Sequence, residues 1–216
     1  MSINKTYAVL GLGRYGMAVA EELVNSGVEV LAVDINQNNV DNAIKKIPVC
    51  KCADITEPEA IKRLGIANVD VVIVAMASNL EASVMAVALC KEVGVETVIA
   101  KCGSEMHQTI LSRVGADKVV FPEKESGTRL AKNLLTSGFS EMIELSDDVS
   151  MVQINVKDEW VGKTLIELSL RKKYSINVVA IRNCDEISTT VDPAMPLEKG
   201  MELIVIANTS KLQKLK

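Results

Sequence analysis

Surplus positive charge is missing from this 216-residue sequence: 24 Lys and Arg stand against 28 Asp and Glu, a formal net charge of −4. No broad basic surface is left to neutralise a phosphate backbone, so a nucleic acid polymer is excluded as a partner. Arg171-Lys172-Lys173 is too short a basic cluster to form a DNA-reading helix. Long hydrophobic runs are missing too. None exceeds the length of Val71–Ala77, far below the roughly 20 apolar residues that span a bilayer, so any membrane contact goes through a partner. Met1 is followed by polar residues and then a strand pattern, and no secretory leader is expected. The five cysteines (Cys50, Cys52, Cys90, Cys102, Cys184) are odd in number and scattered, which predicts reduced thiols in a cytosolic protein. Cys50 and Cys52 would share one strand face, but no second close pair accompanies them, and buried structural thiols are expected. Histidine is nearly absent. His107 stands alone, a helix-surface position is expected for it, and little acid–base chemistry is left to the chain.

What is present describes a globular protein: 48% of residues are apolar and 24% charged. The length fits one large and one small domain. Short β-branched runs at Thr6–Leu10, Val28–Val33, Pro48–Cys52, Val69–Ala75, Thr97–Lys101 and Lys118–Phe121 alternate with helical patterns at Arg14–Ser26, Asn36–Ile47, Glu57–Leu64, Asn79–Val93 and Ser104–Val114. This alternation predicts an α/β fold, a Rossmann-like doubly wound parallel sheet. Asn36 and Asn79 are placed as helix caps, and Gly27, Gly65, Gly94 and Gly115 follow helix ends. A further helix is expected from Lys124 to Phe139. The texture changes near residue 140. Beyond it strands at Met151–Val156, Asn177–Ile181 and Glu202–Ile206, a helix at Thr164–Lys172 and a last helix near Ser210–Lys216 predict a second, smaller α+β domain. The domains are therefore 1–140 and 141–216.

The strand Tyr7-Ala8-Val9-Leu10 runs directly into Gly11-Leu12-Gly13-Arg14-Tyr15-Gly16, a G-x-G-x-x-G turn that opens a helix. In that context the motif is a phosphate-binding turn. Gly11 permits the tight turn, Gly13 lets phosphates approach backbone amides, and Gly16 allows close helix–strand packing. The helix start adds unpaired N–H groups and a positive dipole end. Asp34 ends the second strand, where a carboxylate accepts hydrogen bonds from ribose hydroxyls and disfavours a 2′-phosphate. NAD, ATP or ADP is expected. Arg14 either adds charge to a polyphosphate or points to solvent. Asp54 and Thr56 follow the third strand and Lys101 ends the fifth, all at the carboxyl edge where doubly wound sheets bind ligands. Asp54 contacts ligand, caps the helix beginning near Glu57, or both. Glu123 is either a salt-bridged surface residue or, with a divalent cation to reverse the repulsion, a phosphate neighbour. Gly162-Lys163-Thr164 imitates the end of a Walker A loop, but Lys157 stands where its first glycine belongs.

The motifs V-L-G-L-G-R-Y-G, L-A-V-D-I-N, A-D-I-T, V-I-V-A, G-A-D-K-V-V-F-P-E-K and G-K-T-L-I-E-L-S-L-R-K-K-Y together resemble a Ktr/Trk-type potassium-uptake regulatory subunit. Such subunits join an RCK (KTN) N-terminal nucleotide domain to an RCK C-terminal domain. The resemblance covers nearly the whole chain. It implies a cytoplasmic, non-enzymatic gating subunit that binds ATP, ADP or NAD(H), forms homodimers that assemble into a ring, and sits at the inner face of the cell membrane by docking on a potassium-conducting membrane subunit. By matching motif positions it puts phosphates on Gly11, Gly13, Arg14 and Gly16, ribose on Asp34 and Asn36, adenosine on Asp54, Ile55 and Thr56, and Lys101 and Glu123 near the phosphates, Glu123 from a neighbouring subunit with a cation between. Ala53 and Ile55 depart from the family's usual glycine and alanine. Some members bind cyclic di-AMP between paired C-terminal domains, which by resemblance falls on Arg171, Ile176 and Asn177; a structural strand entry with a surface arginine is the alternative. The fold alone would also suit an NAD-dependent oxidoreductase.

Overall fold

The computed structural model describes residues 5–135, 141–146, 148–184, 186–208 and 210. The chain divides into two compact units, Met1–Glu125 and Ser126–Lys216. In the first, β1 (Tyr7–Leu10), β2 (Val30–Asp34), β3 (Val49–Cys52), β4 (Val71–Val74), β5 (Thr97–Lys101) and β6 (Lys118–Val120) alternate with α1 (Arg14–Asn25), α2 (Gln37–Ala43), α3 (Pro58–Arg63), α4 (Leu80–Glu92) and α5 (Glu105–Val114). All strand pairs are parallel, in the order β3-β2-β1-β4-β5-β6. This is the doubly wound order, and its direction reverses between β1 and β4.

Residue alternation decides which helices cover which face. Ala8 and Leu10 of β1, with Val72 and Val74 of β4, pack against Ile61 of α3, Val87 of α4 and Leu111 of α5. Val9, Val71 and Ile73 point the other way, onto Ala20 of α1 and Ala43 of α2. Both faces are buried, which is why the central strands read as continuous apolar runs rather than alternating ones. Truncating Leu10, fully buried here, to alanine removes roughly 2–5 kcal/mol. The expected caps form: Asn36 accepts from the Asn38 amide and Asn79 from the Ala82 amide.

Two expectations about side chains fail in this unit. Cys52 is exposed and Cys50 only half-buried, because β3 is the edge strand of the sheet and Cys52 is its last residue; Cys184, in the second unit, is exposed as well. His107 is not on the surface but 5% exposed, because it lies on the α5 face that packs against Ser83 of α4.

The chain passes into the second unit along α6 (Pro122–Leu135), which begins at Pro122, a residue well suited to a first helical position. The expected continuation to Phe139 lies outside the described residues. An antiparallel sheet follows, β10-β9-β11-β8-β7, built from β7 (Glu141–Glu144), β8 (Val149–Asn155), β9 (Ile176–Asn183), β10 (Glu186–Ser188) and β11 (Glu202–Asn208), with α7 (Leu165–Leu168) and α8 (Leu170–Tyr174). Val152, Ile154, Leu203 and Val205 form its core with Trp160, Leu168 and Leu197. The single helix expected over Thr164–Lys172 is broken at Ser169, whose φ of +49° is left-handed and whose hydroxyl bonds the Ile166 carbonyl. Strands β7 and β10 escaped the pattern because they are sheet edges; every residue of β10 is exposed. Thr164, in the Walker-like decoy, is a helix cap in a capping box with Glu167. The helix expected near Ser210–Lys216 lies outside the described residues beyond Ser210.

Candidate functional site

The crevice at the β1/β4 reversal is built by the glycine turn. Gly11 sits at φ +97°, closed by its amide on the Val33 carbonyl at 2.7 Å; a side chain there would also meet Met76 Cγ at 2.6 Å. At Gly16 an added Cβ would lie 1.9 Å from the Gly11 carbonyl oxygen, so only glycine lets α1 approach β1 this closely. Gly13 differs from both. Its φ of −67° suits any residue, and a Cβ there would meet nothing within 4 Å. Gly13 is also the N-cap of α1, and it has no side chain to satisfy the first amides of the helix. Those donors are left to an acceptor from outside the turn.

Asp34 braces the turn. Its carboxylate accepts from the Leu12 amide at 2.6 Å, the Asn36 amide at 2.7 Å and Asn39 Nδ2 at 3.2 Å. Asp54 accepts from the Thr56 hydroxyl at 2.7 Å and amide at 2.9 Å, and these two bonds, hydroxyl first, hold its carboxyl below the usual range. It forms a turn rather than a helix cap, since Glu57 occupies the N-cap of α3. Gly11, Asp34, Asp54, Ile55 and Thr56 line one cleft of about 530 Å³. Ile55 does so while packed in the core.

Gly13, Arg14, Gly16, Asn36, Lys101 and Glu123 are not among the residues that line that cleft. Gly13 and Arg14 are exposed beside it, at the start of α1. Lys101 Nζ donates to Glu123 Oε1 at 2.6 Å and stands 5.4 Å from the centre of the Tyr15 ring. Lys101, and more weakly Arg14, holds the Glu123 carboxyl below its usual range. Within one chain Glu123 is thus the salt-bridged residue of the two alternatives. Among the described residues no group of three His, Cys, Asp or Glu could hold a metal ion.

The far wall of the cleft was not read from the sequence. It comprises Met76, Ser78, Asn79, Glu81, Ala82 and Met85, the loop after β4 and the first turns of α4. The available signal was position: this loop follows the strand on the other side of the reversal. In the second unit Arg171, Ile176 and Asn177 do come together, in a separate hollow of about 250 Å³. Arg171 and Asn177 are exposed there and Ile176 is buried.

The TrkA-N domain family matches residues 7–122 and the TrkA-C domain family residues 149–216. Ktr system potassium uptake protein C of Bacillus subtilis (strain 168) is 34% identical over 212 residues, 98% of this chain and 96% of that protein. This chain belongs to the Ktr/Trk family of potassium uptake proteins. Another relative, Ktr system potassium uptake protein A of Vibrio alginolyticus, is 35% identical over 209 residues, 97% of this chain and 95% of that protein. Among solved structures, the GsuK channel superposes on 98% of this Ktr/Trk chain with a TM-score of 0.56 at 22% identity, and a GsuK channel bound to NAD does so at 0.53 and 21%. The Ktr/Trk chain spans only 38% of either channel chain, and at this identity the likeness shows the fold alone. Among the described residues no helix is long and apolar enough to cross a membrane.

Proposed function

We propose that this chain is the regulatory subunit of a potassium uptake system: it binds an adenine nucleotide, ATP, ADP or NAD(H), at the β1/β4 reversal and thereby gates a potassium-conducting membrane subunit. The observation that carries this reading is the capless start of α1 at Gly13, a position whose glycine the fold itself does not need, in a chain similar over nearly its full length to Ktr system potassium uptake proteins. Phosphates would sit on the amides after Gly13 with Arg14 beside them, and the sugar would meet Asp34 and Asn36, while Asp54, Ile55 and Thr56 border the adenosine. These residues fit the group: open donors face a charged tail, and a bare glycine gives it room. Lys101 would gain a phosphate partner in place of Glu123.

The subunit acts as a homodimer within a ring, on the cytoplasmic side of the membrane, and its ligand works through different affinities for two ring shapes. The nucleotide domain is 1–140, with α6 as its crossover helix, and the second domain is 141–216. A resident divalent cation does not fit the residues of one chain, because Glu123 is taken by Lys101; phosphates or a second copy would have to complete its ligands. We read the chain as non-enzymatic. Its one histidine has both ring nitrogens engaged, by Ser83 and by the Gly103 amide, which argues against an oxidoreductase using it as acid or base. The hollow at Arg171, Ile176 and Asn177 supports a second reading for the C-terminal unit, in which two copies hold cyclic di-AMP between them, arginine on phosphate and amide on adenine.

Separate titrations of ATP, ADP, NADH and cyclic di-AMP onto wild type, Asp34→Ala and Arg171→Ala test both sites. Asp34→Ala should weaken only the mononucleotides and NADH, and Arg171→Ala only cyclic di-AMP. If ATP and ADP bind the assembled complex yet leave ion flux equal, the gating mechanism is wrong.

A further inference from the structure

The wall of the cleft that the sequence did not reveal is tied to the rest of the unit by one chain of polar atoms centred on the buried Ser83 and His107. Ser83 is fully buried. Its Oγ lies 2.7 Å from His107 Nε2, and its hydroxyl donates to the Leu80 carbonyl at 2.9 Å. A hydroxyl has one proton; with that proton on Leu80, Ser83 accepts from Nε2–H. At the other side of the ring the Gly103 amide donates to Nδ1 at 3.4 Å. Both contacts require the same species, a neutral imidazole carrying its proton on Nε2.

The two ends of this chain belong to two elements on the same side of the reversal, the start of α4 and the turn after β5. Ser83 and Leu80 lie in the first turns of α4, which supply Asn79, Glu81 and Ala82 to the cleft. Gly103 lies in the turn from β5 to α5, two residues after Lys101, and a Cβ there would stand 3.2 Å from the Ala77 carbonyl oxygen. A second proton on Nδ1 would point at the Gly103 N–H and find no acceptor, so charging the ring must break this contact. The elements packed on the ring are α4, the β5–α5 turn and α5 itself. Their ionisable groups nearest in sequence, Glu81, Lys101, Cys102 and Glu105, are not among the causes acting on His107; burial alone holds the imidazole below its usual range.

We propose that His107 is a positioning residue of the nucleotide site: its neutral ring clamps the Gly103 turn to the start of α4, and protonation opens the clamp and weakens nucleotide binding. The inference rests on the nucleotide reading above and adds to it a proton-dependent control. It is tested by measuring ATP and NADH affinity of the full chain between about pH 5.5 and 8 for wild type, His107→Gln and Ser83→Ala. Wild-type affinity should fall by up to about tenfold per pH unit once the pH drops below the lowered His107 value, and His107→Gln should lack that part of the profile. An identical profile in His107→Gln overturns the proposal. If that variant does not fold, Ser83→Ala decides, since it cuts the α4 side alone: neutral-pH affinity several-fold below wild type supports the clamp, and unchanged affinity overturns it. Nitrogen NMR of the imidazole in the nucleotide-free chain gives an independent readout. An Nε2–H tautomer, with the Gly103 amide shifting in step with the ring's titration, supports the clamp; an Nδ1–H tautomer or an unresponsive Gly103 overturns it. A wild-type chain that binds no nucleotide at neutral pH sinks the nucleotide reading and with it the ligand's dependence on His107, whereas the two NMR signals still show whether the clamp exists.

Discussion

Replacing Gly13 by alanine separates what the turn needs to fold from what it needs to bind. At φ −67° and ψ −176° the backbone accepts any residue, and the new methyl meets nothing within 4 Å. Alanine is the poorer N-cap by about 0.5–1 kcal/mol, and it recovers about 0.4–1 kcal/mol by restricting the unfolded chain. The net change in stability is therefore within about 1 kcal/mol, which for a chain of this size is roughly 2–4 °C in Tm. The neighbouring glycines behave differently. Gly11→Ala must hold φ +97°, costing roughly 1–2 kcal/mol, and must also shift the Met76 side chain at its Cγ. Gly16→Ala puts a methyl 1.9 Å from the Gly11 carbonyl oxygen and must separate α1 from β1, which costs about 1–3 kcal/mol or more. Thermal unfolding should rank wild type level with Gly13→Ala, then Gly11→Ala, then Gly16→Ala. Nucleotide affinity should not follow that order. The Gly13 methyl occupies the approach to amides whose bonds to a charged phosphate are worth about 1.5–3 kcal/mol each. Weakening one of them is a loss of roughly tenfold or more, read by calorimetric titration of ATP and NADH. Unchanged affinity in a folded Gly13→Ala chain would refute the phosphate assignment, and a Tm as low as that of Gly16→Ala would refute the structural reasoning.

Other outcomes follow from the same structure. Asp34→Ala strips acceptors from Leu12, Asn36 and Asn39 and should cost about 1–3 kcal/mol in denaturant unfolding as well as ribose binding; a variant as stable as wild type would show that the brace is idle. Glu123→Gln should change stability by no more than about 1 kcal/mol, because the pair with Lys101 is open to solvent on the glutamate side. Since the folded Glu123 carboxyl lies below its ordinary value, that small difference should be present above the unfolded carboxyl range and vanish as pH falls through the folded value; thermal scans in acid and at neutral pH check the sign. Burial pushes the Cys90 thiol up to about 12, so mass-mapped alkylation of the native protein should modify exposed Cys52 and Cys184 first and Cys90 only on unfolding.

Local chemistry carried the outline of this fold. A strand running into G-x-G-x-x-G needs only a backbone geometry and a missing Cβ, and Asp34 needs only to end the next strand; both are properties of short segments, and both were legible. Parallel order followed from the alternation of apolar runs with helical patterns, because that pattern must bury both faces of one sheet. The rest depended on neighbours distant along the chain. His107 reads as a surface residue until α4 is packed beside α5 and Ser83 meets its ring. Cys52 reads as buried until β3 proves to be the edge of the sheet. Glu123 had two readings until the end of β5 brought Lys101 within 2.6 Å, and the far wall of the cleft exists only because strand order places the loop after β4 across from Gly11. Sequence by itself determined the alternating strands and helices of the first unit and the phosphate turn, since these are set by periodicity and by which residues the backbone admits. Tertiary structure alone decided which polar side chains are buried, paired or exposed, because burial and pairing are fixed by contacts between segments and not within them.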